Sequence, residues 1–269
     1  MPNSFFTCGM TQIRLWQWLN VLALDAVIIA LLWQSLFSKI LGHRISIAAQ
    51  SVLGISVWLV YTADRLFDVM PRAFEQLHSV RHRFVKQNLR ILWIFWISLL
   101  IADIAIAFGW LGDWQFKNGL QLLVICLLYI GLSQKFSARF FPKEFFVALI
   151  FAGGVIIFLI PVSGVWLPSG VLFLLCLINC LIIGIKERSI DAALQIRSMA
   201  QLNSRLAIFL YFSCLFLSYF LGRAWLLPLG LTLAILLVLH IFMQRFPTER
   251  FRVLVDSALM ISPLLALLC

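Results

Sequence analysis

Asp64 and Asp68 stand four residues apart in Tyr61-Thr62-Ala63-Asp64-Arg65-Leu66-Phe67-Asp68, where a long apolar segment ends. On a helix of 3.6 residues per turn both carboxylates project from one face, one turn apart. Charges in or beside a membrane segment are expensive, and those that persist there usually serve function. Adjacent carboxylates repel each other, so a divalent cation or clustered basic residues should accompany them. Mg²⁺ suits such a pair, because it takes a few carboxylate oxygens, keeps several waters and often bridges to a substrate phosphate. The pattern returns in Lys186-Glu187-Arg188-Ser189-Ile190-Asp191, again at the end of an apolar run with acids four apart. Arg65 and Lys186 adjoin these acids, either to contact phosphate or to balance local charge.

The elements that must position these acids are membrane helices. The 269 residues are 63% hydrophobic and 12% charged, outside the range of a soluble domain. No hydrophilic stretch is long enough for a separate soluble unit, so residues 1–269 are read as one integral membrane domain, all-α and polytopic. Met1 to Thr11 lacks a basic region ahead of an apolar core, and Arg14 directly precedes the first long span, which is therefore expected to be retained rather than cleaved. Apolar runs near the length that crosses a bilayer fall at about 15–39, 46–67, 89–111, 118–136, 143–162, 165–186, 203–221, 224–243 and 250–268, nine in all. The last carries Arg250, Arg252 and Asp256 and is the least apolar at its start. Trp16, Trp18, Trp110, Trp114 and Trp225 lie near span ends, as an interfacial aromatic belt requires.

Of 21 lysines and arginines, all but Lys39, Arg44, Lys117 and Arg223 fall on the side of the N-terminus when nine spans are threaded. The positive-inside rule then puts the N-terminus and both acidic pairs in the cytoplasm, with a bacterial inner membrane as the expected location. A net charge of +10 carried in short loops between spans points to anionic lipid headgroups and phosphorylated substrates rather than to nucleic acid. The six cysteines, Cys8, Cys126, Cys176, Cys180, Cys214 and Cys269, are scattered without a CxxC pair and read as small apolar fillers.

Spans 2 and 6 both end in an acidic pair followed by a polar connection, a loose internal repeat. If the helices form a ring, the pairs face each other across one cavity and four carboxylates surround a shared metal-phosphate group. In the first connection, Ser79-Val80-Arg81-His82-Arg83-Phe84 could close Arg81 over a diphosphate or bind lipid headgroups. Asp25, with Gln17, Asn20 and Gln34 on its span, reads either as part of an acceptor pocket or as an interhelical hydrogen-bonding group. Asp103, Asp256 and His240 read as interhelical contacts.

Assembled, these features resemble the UbiA-type intramembrane prenyltransferases. That family has nine helices and two aspartate-rich motifs, after its second and sixth helices, that hold magnesium and a polyprenyl diphosphate. Its first motif, NDxxDxxxD, is similar to Val60-Tyr61-Thr62-Ala63-Asp64-Arg65-Leu66-Phe67-Asp68, which keeps the last two acids and has Val60 and Tyr61 for the Asn and first Asp. The second motif corresponds to Glu187 and Asp191, with Asn179 two turns earlier. Phe141-Pro142-Lys143-Glu144, leading into Phe151-Ala152-Gly153-Gly154, resembles the entrance of the family's fifth helix, where a basic residue approaches the diphosphate.

The resemblance implies a UbiA-like bundle in which Asp64, Asp68, Glu187 and Asp191 hold Mg²⁺. Lys143, Arg81, Arg65, Lys186 and Asn179 would bind substrate, with Lys143 and Arg81 neutralising the leaving diphosphate. The implied activity is Mg²⁺-dependent transfer of a polyprenyl group to an aromatic or other lipophilic acceptor. A terpene cyclase using the same ionisation, or a non-catalytic isoprenoid-binding protein or transporter, stand as alternatives.

Overall fold

The computed structural model describes residues 13–77, 79–135, 142–193, 199 and 206–268, with the backbone alone at 134–135 and 189–193. Its helices are α1 (Trp18–Val21), α2 (Leu24–Leu41), α3 (Ile47–Val69), α4 (Val80–Gln87), α5 (Leu89–Trp110), α6 (Asp113–Lys135), α7 (Lys143–Ile156), α8 (Trp166–Ala193), α9 (Leu206–Tyr219), α10 (Arg223–Ile241) and α11 (Thr248–Leu268). The remaining regular elements among the described residues are short 3₁₀ turns. Among the described residues seven helices, α2, α3, α5, α6, α8, α10 and α11, are long and apolar enough to cross a membrane. The chain is thus a helical membrane protein, as its composition requires.

Of the nine expected spans, the fifth and the seventh are not among these seven: the seventh, expected over 203–221, is helical over the 14 residues Leu206–Tyr219. The fifth and the first also differ in outline. The fifth, expected over 143–162, is helical only to Ile156 and continues as turns to Gly164. Pro161 explains the early stop: it has no N–H to give and its ring clashes with the carbonyl four residues back. The first, expected as one span over 15–39, breaks at Ala23, whose φ of 58° lies in the left-handed region. The break frees backbone carbonyls that α3 takes up. Arg65 Nη1 donates to the Asn20 and Val21 oxygens at 2.7 and 3.0 Å, and Trp58 Nε1 donates to the Leu22 oxygen at 2.9 Å. The Val21 and Leu22 oxygens, which the break leaves without a backbone donor, thereby keep hydrogen bonds, while the Asn20 oxygen accepts from Ala23 N at 3.2 Å as well as from Arg65.

α8 runs through the centre, burying Leu172, Leu175, Ile178 and Ile182 completely. α7, α9, α10 and α11 pack on it, while α2 joins α3 to α11. Phe37 of α2 meets Trp225 of α10 edge to face at 4.6 Å. α5 and α6 lie at the rim and present apolar side chains such as Phe95, Phe108 and Leu128 outward, as a lipid solvent demands. Between helices in lipid the hydrophobic drive is weak, so register depends on close packing and on interhelical hydrogen bonds worth roughly 1 kcal/mol each. Trp33 Nε1 to Leu259 O and Trp96 Nε1 to Leu59 O, both 2.9 Å, are of this kind, as is Ser56 Oγ to Asp103 Oδ2 at 2.7 Å. The Tyr211 and His240 rings stack at 5.8 Å between α9 and α10. The interhelical hydrogen-bond reading fits Asp103, whereas His240, expected as a hydrogen-bonded helix contact, meets its neighbour by ring stacking.

Antiparallel packing brings the C-terminal ends of α3 and α8 to the same end of the bundle as the N-terminal ends of α2, α7 and α11. Ser79 caps α4 there, its Oγ accepting from His82 N at 3.3 Å.

Candidate functional site

A cavity of about 560 Å³ enters the bundle at this charged end. Its mouth carries Asp64, Asp68 and Arg72 from α3 and the following turn, Arg81 and His82 from α4, Lys143 from α7, Glu187 from α8 and Arg252 from α11. Its depth is apolar, walled by residues that include Ile29, Leu53, Val57, Ile150, Phe151 and Leu259. A charged mouth above an oily shaft can take an amphiphile, polar head outward and hydrocarbon inward.

Seven of the nine residues proposed for the site from the sequence line this one cavity: Asp64, Asp68, Glu187, Lys143, Arg81, Arg65 and Asn179. Lys186 lies on α8 next to Glu187 but does not line the cavity. Asp191 belongs to the last turn of α8, and its side chain lies outside the described residues, as do Arg139, Phe141, Arg197 and Arg205, and with them the connection after the second acidic pair.

The acids are held by cations. Lys143 Nζ bridges both Asp64 oxygens, at 3.3 and 3.2 Å. Glu187 pairs with the Arg252 guanidinium through Nη2, and Arg252 Nη1 stands 3.8 Å from Glu249 Oε2. Arg72 Nη1 donates to the Asp68 carbonyl at 2.8 Å and so caps the end of α3. Arg65 is 6% exposed; its bonds to Asn20 and Val21 give it a positioning role at the α1–α2 break, while its flank still lines the cavity. On the far wall Asn20 Nδ2 donates to Asp25 Oδ2 at 2.6 Å and reaches Asp256 Oδ2 at 3.4 Å. Asn179 Nδ2 donates to Asp256 Oδ1 at 3.3 Å.

His82 reports how tightly the cations converge. Burial first, and then Arg81, Arg65, Arg252 and Arg72, push its imidazole down from the usual histidine range to about 2. Its Nδ1 lies 2.9 Å from Ser79 Oγ, which fixes the ring at the base of α4.

Sequence reasoning missed Arg252 and Asp256 as cavity residues. Arg252 and Asp256 are one turn apart with Glu249 three residues before, a polar stripe on the last helix that is as periodic as the Asp64–Asp68 pair. Read against hydropathy alone, the same residues only weakened the span.

The cavity wall carries Asp25, Asp64, Asp68, Glu144, Glu187, Glu249 and Asp256 against Arg65, Arg72, Arg81, Lys143 and Arg252, a formal excess of acid. Among the described residues no three acidic, histidine or cysteine side chains are gathered into a ready-made metal cage. Mg²⁺ does not need one, because it is usually bound through one or two carboxylates plus substrate phosphates and keeps its waters. Hard oxygen donors one turn apart, beside several phosphate-matching cations, fit that mode. Comparisons of the chain with protein-family models, curated proteins and solved structures returned no match.

Proposed function

We propose that this protein is a divergent UbiA-type intramembrane prenyltransferase, moving a polyprenyl group from its diphosphate to an aromatic or other lipophilic acceptor with Mg²⁺. The observation that carries this reading is the single cavity in which Asp64, Asp68 and Glu187, brought from α3 and α8, share a mouth with Lys143, Arg81 and Arg252 above an apolar shaft. In this reading α7 and α9 complete a bundle of nine crossings, with the N-terminus and the charged mouth cytoplasmic, in a bacterial inner membrane.

Asp64, Asp68 and Glu187 would hold the Mg²⁺ together with Asp191, whose side chain lies outside the described residues. Bound there, the ion would neutralise charge growing on the leaving diphosphate. The chain's own residues do the rest. Lys143 leaves Asp64 for a phosphate oxygen, and Arg81 supplies further N–H donors to the leaving group. Tyr61 and Phe151, whose rings meet edge to face at 6.5 Å, present aromatic faces to the allylic carbon as it becomes cation-like. The acceptor attacks that carbon, the bond to the diphosphate oxygen breaks, and the acceptor's proton passes to a base. Asp25 and Asp256, on the wall at Asn20, are the carboxylates placed for that role.

A test is incubation of the purified full chain with Mg²⁺, geranylgeranyl or longer polyprenyl diphosphates and a bacterial lipid extract, with products read by mass spectrometry. A prenylated lipophile is expected; a cyclic hydrocarbon would make the protein a cyclase instead. The replacement of the family's Asn and first Asp by Val60 and Tyr61 favours a second reading, a binding protein that holds the isoprenoid without turning it over.

A further inference from the structure

Arg252 is the most deeply buried cation of the cavity, 5% exposed, and it is only partly satisfied. Nη2 is taken by Glu187, Nη1 has an ion-pair neighbour at 3.8 Å but no hydrogen bond, and Nε has no hydrogen-bond partner. Arg81 Nε, on α4 across the mouth, is likewise buried and without a hydrogen-bond partner. Buried guanidinium N–H groups left open are costly, and they point at a ligand that supplies acceptor oxygens. Both residues line the cavity, and both positive charges act on the same buried neighbour, His82.

We propose that Arg252 and Arg81 form a phosphate subsite in which Glu187 acts as a placeholder. A phosphate oxygen takes the position of the Glu187 carboxylate on Nη2, further oxygens accept from Nε, Nη1 and Arg81 Nε, and Glu187 is released into the cavity to face a cation. Arginine suits the exchange because its planar fork accepts a carboxylate or a phosphate in the same geometry. Lys143, brought by α7 and held by Asp64, lines the same cavity, so three cations from three helices are available to two phosphoryl groups. The subsite thus matches a diphosphate better than a monophosphate. It rests on the proposed function only for the source of the phosphate, a prenyl diphosphate rather than a lipid headgroup.

The test is calorimetric titration of inorganic pyrophosphate into the purified full chain, with and without Mg²⁺, for wild type, Arg252→Gln, Arg81→Gln and Glu187→Gln. Losing charged hydrogen bonds should weaken binding about 10- to 100-fold in Arg252→Gln and about tenfold in Arg81→Gln. Glu187→Gln should tighten Mg²⁺-free binding several-fold, because the internal competitor is gone. Should Arg252→Gln fail to fold, the double variant Arg252→Gln/Glu187→Gln removes both buried charges and must show the same weakening. Repeating the titration in phosphatidylcholine vesicles with and without phosphatidylglycerol separates the sources. Unchanged affinity supports the diphosphate, and competition lost in Arg252→Gln would reassign the subsite to a headgroup. Wild type that does not bind pyrophosphate, or arginine variants that bind like wild type, would overturn the proposal. Arginine-dependent pyrophosphate binding without any prenyl product would sink the transferase alone.

Discussion

At the scale of residues, the two ion pairs at the mouth differ in what they contribute. Lys143 and Asp64 have side chains 42% and 26% exposed, and pairs this open are worth at most about 1 kcal/mol. Lys143→Met should therefore leave the melting temperature of the detergent-solubilised protein nearly unchanged while lowering diphosphate ionisation roughly 100-fold, the size of effect expected for one lost electrostatic donor. Arg252 and Glu187 are 6% and 15% exposed, and removing one partner of such a pair leaves a buried charge at about 3–5 kcal/mol. His82 gives a pH signature. Its folded pKa near 2 lies below its ordinary value near 6.5, so the unfolded chain binds the extra proton first as pH falls. The stability that neutral His82 contributes is complete above about pH 6.5 and declines steadily below it. Thermal melts at pH 7.5 and 5.5 should show a smaller acid loss in His82→Gln than in wild type; equal losses would place the titrating group elsewhere.

At the scale of elements, the break between α1 and α2 sets the cavity wall, because it turns Asn20 toward Asp25 and Asp256. Ala23 adopts a left-handed conformation that an alanine reaches only at roughly 1–2 kcal/mol, so Ala23→Gly should stabilise the protein by about 0.5–1 kcal/mol in a denaturation series. Arg65→Met should destabilise it by about 1–3 kcal/mol, since the Val21 carbonyl loses its donor while the Asn20 carbonyl keeps only the one from Ala23 N. Gly154 lines the shaft, and a Cβ there would meet Leu53 and Leu122 at ordinary distances of 3.6 and 3.7 Å. Gly154→Ala should accordingly fold, narrow the shaft and shift preference toward shorter prenyl diphosphates in a competition assay. Helix positions were largely legible in the sequence, because a bilayer demands long apolar runs and α3, α8 and α11 supply them. The break was not, because Leu22-Ala23-Leu24 contains neither glycine nor proline and is made possible by Arg65 and Trp58 from another helix. Asp64, Asp68 and Glu187 could be found from spacing alone. Arg252 could not be matched to Glu187 that way, since their pairing is a tertiary contact between the ends of α8 and α11.

At the scale of the whole molecule, one end of the bundle collects the termini of five helices around a charged mouth, and the apolar shaft runs inward among α2, α3, α7, α8 and α11. Such a shape lets a lipid-soluble chain stay in hydrocarbon while its anionic head meets cations, and the excess of acid leaves room for a divalent ion between them. The measurement that tests this most directly is release of pyrophosphate from a polyprenyl diphosphate by the purified protein in lipid, followed with and without Mg²⁺ in wild type, Asp64→Asn, Asp68→Asn and Glu187→Gln. Magnesium-dependent release that falls at least about 100-fold in Asp64→Asn and Asp68→Asn is the predicted result. Release that needs no Mg²⁺ or survives both substitutions, or its absence in wild type supplied with acceptor lipids, would contradict it.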